Sequence, residues 1–257
     1  MRARRLEVAT RAGNLSEIFV SLQGEGLHAG RRHLFVRFGG CPLRCRYCDT
    51  PESLTPVATC RVRAGEIERR LPNPVEVETL AEEVRRFERD AAPLHALAIT
   101  GGEPLAQAGF LETWLGAYRP RLPILLETAG VFPERLERVL PGIDVVSLDF
   151  KCPSNTGERS RWDEHEACVV AVRRAGREVY VKMPVDETTD EADVARGAAL
   201  LARLAPEVPL FLTPITEPAG TALEIGAATL VRFQHLAASR HADTRVSPQL
   251  HKVIGIQ

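Results

Sequence analysis

The chain has 257 residues, of which 44% are hydrophobic and 26% are charged, and its formal net charge is −1. This balance is ordinary for a globular enzyme and gives no reason to expect a nucleic acid or an acidic membrane as a partner. No apolar run approaches the roughly 20 residues that span a bilayer, and residues 1–7 are not followed by the apolar segment of a secretory signal. We therefore expect a cytoplasmic protein with one α/β domain over residues 1–257.

The first part of the chain predicts two strands, at 17–22 and 34–38, which lead to a loop rich in cysteine. Between them lies the segment Gln23–Gly26, whose glycines either let the backbone approach a ligand closely or simply allow a hairpin connection. Residues 51–76 are rich in proline and arginine and predict an irregular segment. That segment is either an insertion or a cover over the cysteine loop.

From residue 77 onward the chain predicts alternating helices and strands, because apolar residues such as Leu80, Val84 and Phe87 recur at helical spacing. Helices are predicted at 78–89, 105–118, 133–140, 160–175 and around 194–205 and 223–234, and strands at 94–99, 124–126, 143–150, 178–183, 210–212 and 244–247. This alternation predicts βαβ crossovers and a mainly parallel sheet that curls into an open or partial barrel.

A parallel sheet gathers its binding loops at the carboxyl ends of its strands. We therefore expect the segments that follow the predicted strands to converge on one face. They are the cysteine loop, the turn Gly101–Pro104, Glu127–Thr128, Asp149–Ser154, Pro184 and Thr213–Pro214.

Cys41, Cys45 and Cys48 lie within eight residues, at the spacing C-x3-C-x2-C. Thiolates are the usual ligands of iron–sulfur clusters, and so short a loop can wrap three of them around one centre. No fourth ligand follows at a regular spacing, so we expect a cluster with one iron left open to a substrate or cofactor. The other cysteines have no ligand spacing and are expected to be ordinary thiols: Cys60, Cys152 and Cys168.

The cysteine loop, the Gly-Gly-Glu-Pro turn and the βα repeat together resemble the radical S-adenosylmethionine (SAM) enzymes, over roughly residues 15–257. The resemblance implies that the cysteines hold a [4Fe–4S] cluster and that SAM chelates its open iron through amino and carboxylate groups. It also implies the fold, a partial (β/α)6-type barrel whose dry interior protects a radical from water.

Further motifs are similar to those of the 7-carboxy-7-deazaguanine synthase family. They are Leu22–Gly26, Phe35–Arg37, Cys48–Thr50 and the tail Val246–Lys252. The resemblance implies ring contraction of 6-carboxy-5,6,7,8-tetrahydropterin to 7-carboxy-7-deazaguanine with loss of ammonia, on the route to queuosine and related 7-deazapurines. It also implies a Mg2+ ion, an electron donor such as flavodoxin or ferredoxin, and a homodimer.

The same resemblance assigns roles to residues by position. Arg37 would pair with the substrate carboxylate through its planar guanidinium, and Thr50 would ligate Mg2+ through a hard oxygen. The other positions expected to contact the pterin are Leu22, Gln23, Gly24 and Thr100. The positions expected to contact SAM are Tyr47, Asp49, Gly102, Glu103, Ser147, Leu148 and Asp149.

Several positions also have a purely structural interpretation. Arg37 is otherwise a surface residue at a strand end, Thr50 a cap of the next turn, and Glu103 a residue that orders its own turn. Glu127 is either a site residue or a solvated strand end, and His251 either belongs to the site or lies in a free tail. The segment at 147–154 is longer than in some family members, so its SAM contacts could shift by one or two residues.

Two other functions have to be distinguished from this one. A glycyl-radical enzyme activase also has the C-x3-C-x2-C loop, but it needs an open face for a polypeptide, and the Gln23–Gly26 segment and the tail argue against it. An electron carrier or cluster scaffold would ligate every iron and would need no βα barrel around the cluster. The basic run at 61–70 is expected to be a solvated face.

Overall fold

Helices and strands alternate along the computed structural model, which describes residues 10–90, 92–217 and 222–256; residues 1–7, where no secretory signal is expected, lie outside that part. The strands are β1 (Ala12–Gly13), β2 (Leu15–Leu22), β3 (Arg32–Phe38), β4 (Thr59–Ala64), β5 (Ile67–Pro72), β6 (Val75–Glu76), β7 (Ala96–Gly101), β8 (Ile124–Thr128), β9 (Val145–Asp149), β10 (Glu178–Val185), β11 (Leu210–Pro214) and β12 (Thr244–Val246). The helices are α1 (Val77–Asp90), α2 (Ala108–Ala117), α3 (Pro133–Val139), α4 (Pro153–Thr156), α5 (Trp162–Arg174), α6 (Glu191–Leu204), α7 (Ala227–Ala238) and α8 (Leu250–Val253). Within the described ranges, no helix has the length and hydropathy to cross a bilayer.

A ten-stranded sheet runs in the order β12-β11-β10-β9-β8-β7-β3-β2-β4-β5. From β3 to β12 every neighbouring pair is parallel, as βαβ crossovers require. Strand β2 is antiparallel to β3, and β5 is antiparallel to β4. Since β12 and β5 do not pair with each other, the curled sheet stays open. The predicted α/β class with a mainly parallel sheet is confirmed.

The segment at 51–76 is not irregular, and the prediction for it is wrong. Strands β4 and β5 form an antiparallel hairpin that extends the sheet beyond β2. Cys60 and Val62 are buried in β4, whereas Arg61 and Arg63 alternate with them on the other face. The strand is hard to recognise in the sequence because arginines occupy the positions between its buried residues. Two of these arginines, Arg61 and Arg63, pair with Glu17 on β2.

The other predicted elements are found with shifted ends. Helix α7 begins after Gly226, so Leu223 lies outside it, in an isolated bridge with Thr216. Strand β9 begins at Val145, two positions later than predicted, and the short helix α4 was not predicted. The connection between β2 and β3 is a hairpin connection, as one of the two interpretations of Gln23–Gly26 required.

The two faces of the sheet have different roles. Alternate residues of β3 (Leu34, Val36 and Phe38) pack under the helices in the large core, and the residues between them face the barrel interior. In the interior, Phe19 and Phe35 stack with ring centres 5.1 Å apart. Leu27, from the β2–β3 connection, packs against the same inner cluster. Phe19, Phe35 and Leu27 thus form a floor in the interior, and the cavity lies between this floor and the carboxyl ends of the strands.

Candidate active site

A cavity of about 260 Å³ opens at the carboxyl ends of the parallel strands. Its walls include the cysteine loop after β3 and the carboxyl ends of the next strands with the residues that follow them: Gly101–Gly102 at β7, Glu127–Ala129 at β8, Asp149 and Lys151 at β9, Pro184 in β10 and Thr213–Thr216 at β11. The segments that were expected to converge therefore line one space. The parallel order of the strands is the physical reason, because it brings their carboxyl ends to one edge.

Cys41, Cys45 and Cys48 are half-buried on one wall of this cavity. Three thiols that one short loop brings to the same wall suit an iron–sulfur cluster, in which each thiolate would bind a different iron. Burial raises the pKa of Cys41 to about 11 and also raises the pKa of Cys45. A bound metal cluster would therefore have to stabilise the thiolate form of these two side chains.

The cysteine loop is anchored on both sides by hydrogen bonds. The backbone N–H of Cys41 donates to the carbonyl of Leu54 at 3.1 Å. On the other side, the Arg46 guanidinium donates to the carbonyls of Asn155 at 3.0 Å and Ser154 at 2.9 Å. These contacts hold the ligand positions in place from outside the loop.

Charged side chains from the end of β9, from β10 and from the β2–β3 connection form ion pairs along the cavity wall. Asp149 lies 2.9 Å from Lys151 and 3.3 Å from Lys182, and Lys182 lies 2.5 Å from Glu25. Burial alone would raise the pKa of Asp149, but the two ammonium groups hold it below its usual value. The Lys151 ammonium also lies 5.5 Å from the ring centre of Tyr47. Asp149 is therefore ionised, and its ion pairs with Lys151 and Lys182 hold it in position at the cavity wall.

Glu127 joins two of the residues expected to contact substrate. Its carboxylate accepts hydrogen bonds from the Gln23 amide at 2.8 Å and from the Thr100 hydroxyl at 2.7 Å. All three line the cavity, together with Leu22 and Gly24. Glu127 is thus not a solvated strand end, and it positions a set of polar groups that face the ligand space.

Arg37 faces the cavity from the inner side of β3, with 20% of its side chain exposed. Its Nε atom is 3.8 Å from Glu17, which lies closer to Arg63 at 2.8 Å and to Arg61 at 3.2 Å. One carboxylate therefore faces three guanidinium groups, and a net positive charge remains at this wall. The position argues against a plain surface role for Arg37.

The C-terminal tail packs against the cysteine loop and the β2–β3 connection. The Gln249 amide donates to Glu25 at 2.8 Å and to Asp49 at 3.2 Å, and its carbonyl oxygen accepts from the Thr216 hydroxyl at 2.6 Å. Lys252 lies 3.5 Å from Asp49. Although burial alone would raise the pKa of Asp49, this ammonium and the amide hold it below its usual value.

His251 belongs to the cavity wall rather than to a free tail. A Cβ atom added at Gly24 would come within 1.7 Å of the Nδ1 atom of His251. The N–H of Leu250 donates to the carbonyl of Gly24 at 2.9 Å. The absence of a side chain at Gly24 is therefore what lets the tail close this side of the site.

Thr50 lines the cavity at the point where the cysteine loop ends. It precedes a 3-10 turn at Pro51–Ser53, but its hydroxyl makes no capping hydrogen bond. Its carbonyl instead accepts from the Ser53 hydroxyl at 2.7 Å. The capping interpretation of this hydroxyl is therefore not supported.

Glu103 lies behind the cavity. Its fully buried carboxylate accepts hydrogen bonds from the N–H of Leu105 at 2.9 Å, the hydroxyl of Thr128 at 2.9 Å and the N–H of Ala129 at 2.7 Å. Burial nevertheless raises the pKa of this carboxyl. These bonds tie the Gly-Gly-Glu-Pro turn to the end of β8, so the geometry supports the structural alternative for this side chain.

Of the segment Ser147–Asp149, only Asp149 reaches the cavity. Ser147 and Leu148 are fully buried within β9, and Leu148 packs in the core under the helices. Side chains alternate along a strand, which explains why Leu148 points away. The expected SAM contacts of these two side chains are not supported, and the cavity-facing residues are Asp149 and Lys151.

Sequence reasoning gave no individual role to four charged or amide residues that the structure places on the cavity: Glu25, Lys151, Lys182 and Gln249. One signal was available for Lys182, since it interrupts the mostly apolar run 179–185 and a buried lysine needs a partner. Gln249 lies in the tail motif Val246–Lys252, but its partners Glu25, Asp49 and Thr216 could not be read from the sequence because they are far away in the chain.

We expect Gly102→Ala to lose SAM binding. A Cβ atom there would lie 2.4 Å from the carbonyl oxygen of Gly40 and 2.6 Å from that of Ser53, so backbone beside the cysteine loop must move. SAM affinity of the anaerobically reconstituted protein, measured by equilibrium dialysis, should fall at least about 30-fold, given that strain of this kind costs roughly 2 kcal/mol or more. Gly116→Ala in α2, where an added Cβ meets nothing within 4 Å, is the matched control. Unchanged affinity in Gly102→Ala would contradict the close packing of this turn.

We expect Lys182→Met to destabilise the fold by about 3–5 kcal/mol, because it removes the buried ammonium that pairs with the largely buried carboxylates of Asp149 and Glu25. Chemical denaturation measures the change. The double variant Lys182→Met/Glu25→Gln should recover part of the loss, since it removes one uncompensated charge. A Lys182→Met protein as stable as the parent would show that the buried network does not form.

Comparison with known proteins places the chain in a family. The profile of the Radical SAM superfamily matches residues 35–198. The 7-carboxy-7-deazaguanine synthase of Geobacter sulfurreducens is 36% identical over 245 residues, covering 94% of this chain and 96% of the relative. The enzyme of the same name from Methanopyrus kandleri is 36% identical over 247 residues, covering 94% and 93%.

Solved structures show the same fold. The crystal structure of QueE from Escherichia coli has a TM-score of 0.58 at 19% identity and covers 98% of this chain and 100% of its own. A radical SAM methyltransferase from Sphaerobacter thermophilus has a TM-score of 0.59 at 18% identity, covering 85% and 66%. With the superfamily match, these similarities imply a [4Fe–4S] cluster and SAM as cofactors. The chain belongs to the radical SAM superfamily and, within it, to the 7-carboxy-7-deazaguanine synthase family.

Proposed function

We propose that this protein contracts the ring of 6-carboxy-5,6,7,8-tetrahydropterin to 7-carboxy-7-deazaguanine with loss of ammonia, as a carbon–nitrogen lyase of queuosine and 7-deazapurine biosynthesis. The observation that carries the proposal is the composition of the cavity. It places the three thiols beside a cationic wall at Arg37 and beside the Gln23–Thr100–Glu127 set. A carboxylated, nitrogen-rich ring needs those partners.

The proposed role of each residue follows from the chemistry of its side chain. Arg37 would bind the substrate carboxylate, since Glu17, its ion-pair partner within the described residues, lies 3.8 Å away and is shared with Arg61 and Arg63. Glu127 would accept hydrogen bonds from ring N–H groups, while Gln23 and Thr100 hold its carboxylate in place. The backbone at Leu22 and Gly24 would complete the pterin site. When bound, the cluster supplies the electron for reductive cleavage of SAM.

On the SAM side, the contacts that we propose are Tyr47, Asp49, Gly102 and Asp149, all on the cavity. Asp49 and Asp149 are held ionised by lysines and can accept from hydroxyl or ammonium groups. Closure by the tail through Gln249 would exclude water from a radical reaction.

A Mg2+ ion at Thr50 is a separate proposal. The hydroxyl lines the cavity next to the last cysteine and makes no capping bond, so it can serve as a hard ligand. There the ion would hold the substrate carboxylate against Arg37 and draw negative charge from it. On the family resemblance we also propose a single domain, a homodimer, a cytoplasmic location and flavodoxin or ferredoxin as reductant.

An anaerobic assay tests the proposed reaction. Tag-free, reconstituted protein is supplied with the carboxy-tetrahydropterin, SAM, Mg2+ and a reductant, and products are followed by mass spectrometry. We expect 7-carboxy-7-deazaguanine and ammonia in equal amounts. Cleavage of SAM without consumption of pterin would refute the assignment and turn attention to the glycyl-radical activase, although the tail that covers the cavity does not favour a polypeptide substrate.

A further inference from the structure

Three histidines meet at the end of the barrel opposite the cysteine loop. His28 ends the 3-10 turn Gly26–His28 in the β2–β3 connection, His33 lies near the amino end of β3, and His95 directly precedes β7. None of them lines the cavity that holds the cysteines. They therefore belong to a separate place in the fold, below the floor formed by Phe19 and Phe35.

The spacing of the three rings suits a single metal ion. One ring nitrogen from each lies within 4.8 Å of the other two. The ring centres are 5.5 Å apart for His28 and His33, 5.0 Å for His28 and His95, and 5.7 Å for His33 and His95. Nitrogens spread to that limit would lie about 2.8 Å from their common centre, so each must move inward by only about 0.7 Å to reach the Zn–N distance of roughly 2.1 Å.

The burial of His33 is a second, independent sign of a ligand. Its side chain is completely buried, and neither ring nitrogen has a hydrogen-bond partner within the described part of the chain. The Nδ1 atom of His28 is likewise buried without a described partner. Buried imidazole nitrogens are normally satisfied, because leaving them unpaired costs the lost hydration. A metal ion between the rings would supply that partner.

The charge state of the cluster agrees with metal binding. Burial, with help from the neighbouring rings, lowers the pKa of His33 to about 3 and also lowers that of His28. Burial and the Arg31 guanidinium lower the pKa of His95, against the opposing effect of the Glu178 carboxylate. All three rings are therefore neutral near pH 7, which is the form that offers a lone pair to a metal.

Among the described residues around the three rings, Arg31 is the charged group that opposes a cation. Its guanidinium donates to the Nε2 atom of His95 at 2.5 Å, because arginine has no acceptor atom. Arg31 is exposed and can turn into solvent. Ligation through Nε2 of His95 requires that movement, and ligation through Nδ1 leaves Arg31 as a nearby positive charge.

We propose that His28, His33 and His95 bind one borderline transition-metal ion, with Zn2+ as the favoured ion, through three imidazole nitrogens and a fourth position open to water. Imidazole is a preferred ligand of Zn2+, and no thiol lies in the set. The ion would tie the β2–β3 connection to the amino ends of β3 and β7. That connection also carries Gln23–Glu25 along the cavity, so the site would fix one wall of it from below.

Zinc uptake by the holoenzyme tests this proposal. Tag-free protein is reconstituted anaerobically so that iron occupies the cysteine loop, incubated with two equivalents of Zn2+, desalted, and analysed for zinc and iron by mass spectrometry. We expect about one zinc per chain, nitrogen-only ligation in the zinc X-ray absorption spectrum, and a melting temperature that rises with zinc. Failure to retain zinc above the level of a buffer control, or sulfur ligation, would overturn the proposal.

Two variants locate the site, and the exposed His235 on α7 provides a matched control. His33→Phe and the partly solvent-facing His95→Gln should each weaken zinc binding at least tenfold with unchanged iron content, whereas His235→Gln should bind as the parent does. His95→Gln decides the matter if the buried substitution fails to fold.

Arg31→Ala should bind zinc several-fold more tightly, because it removes the competing cation. Equal zinc binding in the parent and His95→Gln, or weaker binding in Arg31→Ala, would refute the assignment.

Discussion

Cys45→Ala should lose both the visible absorbance of the cluster and all cleavage of SAM. Cys45 lies on the cavity wall between the other two cysteines of the loop, and within the described residues no fourth thiol lines the cavity to replace it. A cluster with only two protein thiolates does not stay bound, and without it no electron reaches SAM. Iron content, absorbance and 5′-deoxyadenosine formation are measured after anaerobic reconstitution.

Cys168→Ala is the matched control for this variant. Cys168 is completely buried among apolar residues of α5 and burial raises the pKa of its thiol, so it behaves as a small apolar side chain. We expect normal iron content in that protein. A Cys45→Ala protein that keeps the parent's absorbance and cleaves SAM would remove Cys45 from the ligand set.

Arg37→Ala should weaken pterin binding by about 30- to 150-fold, the effect of losing a charge-assisted pair worth roughly 2–3 kcal/mol. Uncoupled SAM cleavage should stay within about twofold of the parent, because Arg37 is not among the proposed SAM contacts. The measurements are the KM for pterin and the rate of 5′-deoxyadenosine formation without pterin.

Two further substitutions show whether this effect is specific. Arg32→Ala removes an exposed arginine from the amino end of the same strand and should leave both quantities unchanged. Arg37→Lys keeps the charge but loses the planar fork, so it should recover only part of the pterin affinity. If Arg37→Ala impaired pterin binding and SAM cleavage equally, Arg37 would be a structural residue.

The fold was predictable to the extent that each element carries its own periodicity. Helix α1 is an example, since Leu80, Val84 and Phe87 mark its buried face without help from the rest of the chain. The hairpin β4–β5 was missed because its exposed arginines are stabilised by partners elsewhere, such as Glu17 on β2. A local pattern cannot reveal a partner that only the folded sheet supplies.

For the candidate site, the sequence predicted which segments come together but not which side chains face the cavity. Glu103 shows where position within a motif is insufficient: its residue type suits a ligand contact, but three hydrogen bonds from the turn and the end of β8 already occupy its carboxylate. Ser147 and Leu148 fit the motif by position, but the pleat of β9 turns one of them under the helices and leaves Asp149 at the cavity.

The sequence by itself determined the cysteine loop, the α/β class with a mainly parallel sheet, and the family. Those conclusions depend on residues that are close together in the chain, and short loops place such residues near one another in any fold. Only the tertiary structure decided which side chains face the ligand space and how it is closed. Gln249 contacts Asp49 across 200 positions and Lys182 contacts Glu25 across 157. Contacts over such separations depend on the packing of the whole barrel, because loop spacing alone does not bring these residues together.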